Sequence, residues 1–203
     1  MRITIPYAIR LIEEQTGGLV RKSDWYPISS MLPLGRAIGL MKGPPELELS
    51  AHFACGMATF LVFDERGTPR PITEMIDLDG FLGALKEVCN LYAKGKLFAC
   101  IRSKLKLSLA FRHLKEKAFA SDIISNLLKR GDYESLANLM DDVIMLGMIH
   151  FMDPWNLDLE RLRSCDIHYG SPDGRIIPFC AYNNIYRSEV EMVFSSGSTQ
   201  AEL

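Results

Sequence analysis

The sequence predicts an α+β fold: a helix-rich chain with a small antiparallel β region and a C-terminal β-hairpin. Three observations predict it. A long central stretch carries apolar residues at helical spacing. Before it, Glu46–Ser50 alternates polar and apolar residues, and Ala58–Phe63 is apolar and partly β-branched. Near the C-terminus, Ser171-Pro172-Asp173-Gly174 forms a strong turn signal between two short strand-like runs.

In chain order, Ile5–Gln15 reads as a short helix with Ile5, Ile9 and Ile12 on one face; Pro6 is tolerated in its first turn. Thr16-Gly17-Gly18 stops it. Residues 20–45 are broken by Pro27, Pro33, Gly35, Gly39, Gly43, Pro44 and Pro45, with a short helix expected around Gly35–Met41. Pro27 and Pro33 bracket an apolar loop expected to pack against another element. Strands are expected at Glu46–Ser50, Ala58–Phe63 and Arg70–Met75, with a turn at Asp64–Gly67. Asp77 is placed to cap a helix over Leu78–Ala93, with Phe81, Leu82, Leu85 and Val88 inward. Helices are expected at Leu97–Lys117, Ala120–Lys129, Tyr133–Met148 and Leu157–Ser164. His150–Asn156 reads as a loop, and the stretch after Arg187 as a disordered tail.

The strands of the terminal hairpin are expected at Ile167–Tyr169 and Arg175–Phe179. If Gly170 pairs with Arg175, Cys165 faces Cys180. Directly opposed Cβ atoms lie roughly 4.5–5.5 Å apart, close enough for a disulfide or for two thiolates on one metal centre.

Composition narrows the function classes. The chain has 203 residues, 48% hydrophobic and 24% charged, ordinary values for a globular domain. A net charge of −2 gives no field for nucleic acid or an anionic membrane. No apolar run approaches the roughly 18 residues of a spanning segment, so no transmembrane helix is expected. The N-terminus lacks a signal peptide's apolar region, so a cytoplasmic location is expected. Lys104, Lys106, Arg112, Lys115 and Lys117 read as a solvated helix face, the alternative being a docking surface for an anionic partner or lipid headgroup and hence peripheral membrane contact.

The five cysteines are Cys55, Cys89, Cys100, Cys165 and Cys180. In a reducing compartment, paired cysteines more often bind metal or react than form lasting disulfides. No Cys-x-x-Cys pair of the zinc-ribbon kind occurs. Ligands must therefore come from separate segments. Cys55 is the third candidate beside the hairpin pair, with His52 three residues before it and Gly56 after it. His52, His168 and Cys100 are weaker candidates. Cys89 and Cys100 sit in apolar helical surroundings and read as structural. There is no nucleophile elbow, dinucleotide fingerprint, phosphate loop or His-Glu-x-x-His.

Several segments taken together resemble one family. They are Ile5-Pro6-Tyr7 with Ile12–Thr16, Trp25-Tyr26-Pro27, His52-x-x-Cys55-Gly56-Met57-Ala58-Thr59, His150–Pro154, and Cys165-x-Ile167-His168-Tyr169 through Pro172–Cys180. Over residues 2–188 the chain resembles the C-terminal portion of archaeal radical S-adenosylmethionine proteins related to tetraether lipid synthase. In that family an N-terminal partial β/α barrel carries a Cys-x-x-x-Cys-x-x-Cys loop, whose [4Fe–4S] cluster cleaves S-adenosylmethionine. This sequence has no such motif.

The resemblance implies a fragment: residues 1–45 as a remnant of the barrel's C-terminal edge, 46–188 as an auxiliary iron–sulfur region, and 189–203 as the tail. It implies an auxiliary [4Fe–4S] cluster on Cys55, Cys165 and Cys180. The fourth ligand stays open among Cys100, Cys89, a histidine, substrate, or a cysteine of the missing part. S-adenosylmethionine would bind only if a separate N-terminal half were supplied, and a redox donor is the other implied partner. Two other readings stand beside it: a cluster-free scaffold remnant, and a small zinc protein with four ligands.

Overall fold

The computed structural model describes residues 3–42, 50–64, 66–93, 110–116 and 143–195. Helix α1 (Ile5–Gln15) takes Pro6 in its first turn. It ends as predicted: Gly17 adopts φ +61, and the Gly18 N–H donates to Glu13 O at 2.8 Å, closing a Schellman turn. A 3₁₀ turn (Lys22–Asp24) leads into β1 (Tyr26–Pro27), a strand the sequence reading missed. A second 3₁₀ turn (Ile28–Met31) then enters α2 (Leu32–Lys42), longer than the predicted Gly35–Met41.

The central strand is β2 (Gly56–Phe63), followed by β3 (Pro69–Pro71), α3 (Ile72–Met75) and α4 (Leu78–Ala93). The expected strand over Arg70–Met75 is corrected: only its start pairs with β2, and Ile72 onward turns helical behind Pro71. Asp77 caps α4 as expected, accepting from the Gly80 N–H at 3.2 Å and from His113 Nδ1 at 2.8 Å. The predicted helix over Leu97–Lys117 is corrected at its end. Phe111–His113 is a 3₁₀ turn, and Leu114 forms an isolated antiparallel bridge with Ile76. The rest of that helix, Cys100, Ala120–Lys129 and the Glu46–Leu49 part of the first strand lie outside the described residues.

The largest correction is β4 (Val143–Ile149), within the segment expected as the Tyr133–Met148 helix. It pairs antiparallel with all of β2 except Phe63, from Gly56↔Ile149 to Val62↔Val143. Strand alternation then sorts the side chains into layers. Met57, Leu61, Leu146 and Met148 face the α1 side, around Ile9, Val20 and Trp25. Phe60, Val62 and Val143 face the other side, against Leu78, Phe81, Leu82 and Leu85 of α4 and Ala37 of α2. Leu85 is fully buried. Burying such a side chain contributes about 2 kcal/mol. Cys89 packs against this core, its Sγ 3.7 Å from Pro33 O, and burial pushes its thiol pKa up. It is structural, as predicted.

Helix α5 (Leu159–Arg163) falls within the expected Leu157–Ser164 and is capped by Asp158, whose carboxylate accepts from the Glu160 and Arg161 N–H groups. The hairpin strands are β5 (His168–Gly170) and β6 (Ile176–Pro178). Its turn forms where predicted, with Gly174 at φ +85 donating to Ser171 O at 2.9 Å. Its register is one residue off the expected one. Gly170 pairs with Ile176, because Ser171 N–H donates to Arg175 O and closes a longer loop. Cys165 therefore does not face Cys180 directly. Cys180 lies instead in a helical turn, α6 (Phe179–Ala181), which continues through a π-turn (Tyr182–Tyr186) into α7 (Arg187–Ser195). That helix stands where a disordered tail was expected; Val190 buries one face of it. Among the described residues, no helix is long and apolar enough to cross a membrane.

The hairpin turn makes a pH prediction. Asp173 accepts from Arg175 Nε at 2.6 Å and from its backbone N–H at 3.0 Å, and these bonds lower its pKa to about 2. A folded pKa below the unfolded value means the contribution is present above the ordinary carboxylate range. It is lost as pH falls through about 2. Hairpin amide shifts followed by NMR should move over that acid window in the native chain, and Asp173→Asn should remove the transition.

Candidate functional site

Three of the five cysteines line one cavity. Cys55, Cys165 and Cys180 share a pocket of roughly 140 Å³ with Ile28, Ala51, Ile149, His150, Phe151, Arg161, Asp166, Ile167 and Phe179. Each thiol arrives on a different element. Cys55 closes a turn whose N–H donates to His52 O at 2.8 Å, immediately before β2 begins. Its own carbonyl accepts from the His150 N–H at 2.8 Å, which ties it to the end of β4. Gly56 permits this approach: a Cβ there would meet Met148 O at 2.7 Å and Ile28 Cδ1 at 2.8 Å.

Cys165 follows α5, and its Sγ donates to Ile167 O at 3.0 Å. The adjacent Asp166 carboxylate accepts from Ser50 Oγ and the Ala51 N–H, both at 2.8 Å. It thus fastens the hairpin's entry to the segment leading to Cys55. Cys180 accepts from the Met152 N–H at 3.5 Å, and Asn184 Nδ2 donates to the carbonyls of both Met152 and Cys180. The loop before α5 and the helix after the hairpin are locked together at this thiol.

The walls are mostly apolar. Phe151 and Phe179 pack with ring centroids 4.8 Å apart, and Tyr169 stacks on Phe179 at 5.3 Å. Besides Asp166, one charged side chain enters the wall. Arg161 is only 7% exposed; its Nε donates to Cys55 Sγ at 3.4 Å and its Nη2 to His150 O at 2.6 Å.

Of the weaker candidates, neither His52 nor His168 is brought in, and Cys100 lies outside the described residues. His52 lies outside the cavity lining, its Nδ1 accepting from the Ala54 N–H at 3.2 Å while its ring packs on Phe53. His168 is exposed on the hairpin, paired with Pro178. The sequence reading missed Arg161 and Asp166; the close backbone approach it expected at the glycine after Cys55 is present at Gly56. For Arg161 the available signal was its position four residues before Cys165, one helical turn away.

Among the described residues, no three His, Cys, Asp or Glu side chains are arranged to hold a single metal ion. Soft thiols from three segments suit iron–sulfur ligation, and N–H groups already point at two of the sulfurs.

A second, polar cleft of roughly 310 Å³ is lined by Arg21, Asp24, Tyr26, Thr73, Glu74, Asp77 and Lys115 among others. Its buried Asp24 accepts from the Arg21 N–H and from Thr73 Oγ1, and Lys115 Nζ donates to Thr73 O. Burial, then the charges of Asp79, Asp77 and Asp24, push the Tyr26 phenol up.

The chain is similar to a pterin methyltransferase. It is 40% identical to the 7,8-dihydro-6-hydroxymethylpterin dimethyltransferase of Methanocaldococcus jannaschii over an alignment of 202 residues. That alignment covers 96% of this chain and 40% of the relative, so the chain spans about two fifths of the relative's length. No protein-family model matches it. The similarity corrects the resemblance to tetraether lipid synthase-related proteins, since the relative that matches nearly the whole chain is named for methyl transfer to a pterin. The physical reason is that thiol-bearing loops report ligand chemistry, and ligand chemistry does not specify a substrate.

Proposed function

We propose that this chain is the iron–sulfur-binding region of an S-adenosylmethionine-dependent radical methyltransferase acting on a reduced pterin. Cys55, Cys165 and Cys180 would hold an auxiliary [4Fe–4S] cluster. The observation that carries the reading is the meeting of these three thiols, from three separated segments, on the wall of one mostly apolar cavity. The similarity to a pterin dimethyltransferase supports the substrate class.

A bound cluster would supply one-electron chemistry. The chain's own residues supply its setting. Phe151, Phe179 and Ile167 give the thiols an apolar wall, the N–H groups of Met152 and Arg161 polarise two sulfurs, and Asp166 and Asn184 fix the loops that carry them. Cleavage of S-adenosylmethionine belongs to a Cys-x-x-x-Cys-x-x-Cys loop, which this sequence does not contain. Methyl transfer therefore requires that loop from further polypeptide, in the same chain or as a separate partner, together with a redox donor.

The test is anaerobic reconstitution of the 203-residue chain with iron and sulfide. The expected result is about four irons and four sulfides per chain, with a paramagnetic signal on one-electron reduction. Stoichiometric zinc without iron, or no metal at all, overturns the reading.

A further inference from the structure

We infer that Arg161 is the counter-charge of the thiol centre and raises its reduction potential. This rests on the reading above, that Cys55, Cys165 and Cys180 hold an iron–sulfur cluster. The starting point is a buried guanidinium that no carboxylate of the described residues hydrogen-bonds. A guanidinium stays ionised at any physiological pH, and burying it without an anion is costly. Arg161 is 7% exposed. Among the described residues its side-chain partners are a carbonyl, His150 O, and a sulfur, Cys55 Sγ. Asp158, at the start of the same helix, hydrogen-bonds the backbone N–H groups of Glu160 and Arg161 and not the guanidinium. Asp166, across the cavity, spends its own on Ser50 and Ala51.

The placement is also fixed. Asp158 caps the short helix that carries Arg161, and His150 O takes one arm of the guanidinium at 2.6 Å. The same His150 donates its N–H to Cys55 O. Arg161, His150 and Cys55 thus form a closed ring of contacts, which leaves Nε directed at the sulfur. Three thiolates on an oxidised [4Fe–4S] core would leave a net negative charge, which the guanidinium beside Cys55 would offset. Hydrogen bonds to sulfur and nearby positive charge both favour the reduced, more negative state, so they raise the potential.

The experiment compares the reconstituted native chain with Arg161→Gln and Arg161→Lys, reading iron content, far-ultraviolet circular dichroism, and the midpoint potential from a titration followed by electron paramagnetic resonance. The expected result is a midpoint shifted to more negative potential in Arg161→Gln and largely restored in Arg161→Lys. Loss of iron in Arg161→Gln, with the fold intact and iron retained in Arg161→Lys, supports the inference equally. A full cluster at an unchanged midpoint in Arg161→Gln overturns it. So does equal loss of fold and iron in both variants, which would make Arg161 a purely structural tie to His150. A native chain that takes up no iron at all refutes the cluster itself, a distinct outcome.

Discussion

Alanine at Cys55, Cys165 or Cys180 is expected to abolish cluster assembly, taking the reconstituted chain from about four irons to almost none. Each thiol comes from a segment held by its own contacts, so none can shift to replace another. Cys55 sits between a turn and β2, Cys165 at the end of α5, and Cys180 in the turn after β6. Iron and sulfide analysis, with circular dichroism as a fold control, measures the effect. Cys89→Ala provides the contrast. Its thiol packs on the α2–α4 core beside Pro33, away from the cavity, so the variant should keep its iron and lose roughly 1–2 kcal/mol of stability through lost packing. If the three cavity cysteines also cost only packing energy and leave metal content unchanged, the site is an apolar pocket that happens to contain sulfur.

Much of the fold was legible because its signals are local. Pro6 and the Gly17-Gly18 pair bound α1, Asp77 caps α4, and Pro172-Asp173-Gly174 makes the hairpin turn. The failures have two causes. Val143-Ile144-Met145-Leu146-Gly147-Met148-Ile149 is a continuous apolar run, which periodicity alone cannot assign to helix or strand. Its partner, β2, lies far away in sequence, so the pairing that decides the matter is invisible locally. The hairpin register failed on a single backbone bond, Ser171 N–H to Arg175 O, which lengthens the loop by one residue.

The site divides the same way. Cys55, Cys165 and Cys180 could be named because cysteine carries its chemistry in its identity. That they share one cavity does not depend on the cross-strand opposition of Cys165 and Cys180 that first suggested it. Arg161 could not be named. An arginine on a short helix reads as a solvated residue, and only the packing of α5 against the end of β4 buries it beside a sulfur.

Gly56→Ala should be among the most damaging single changes outside the ligands themselves. Gly56 opens β2 opposite Ile149, with its Cα facing the backbone of the neighbouring strand and the side chain of Ile28. A Cβ would lie 2.7 Å from Met148 O, a main-chain atom already committed to the sheet, and 2.8 Å from Ile28 Cδ1. The isoleucine can rotate away, but the carbonyl cannot move without dragging β4. Overpacking of this kind costs about 1–3 kcal/mol. The displacement would fall on Cys55 and His150, neighbours of this pair, and so on the bond between His150 N–H and Cys55 O. Denaturant unfolding should therefore show a lower midpoint, and reconstitution a lower iron content. Gly83→Ala on the exposed face of α4 is the control of opposite sign. Nothing lies within 4 Å of a Cβ there, and alanine is the better helix former by about 1 kcal/mol. A Gly56→Ala chain as stable and as fully loaded as the native one would mean that the start of β2 does not position the thiol beside it.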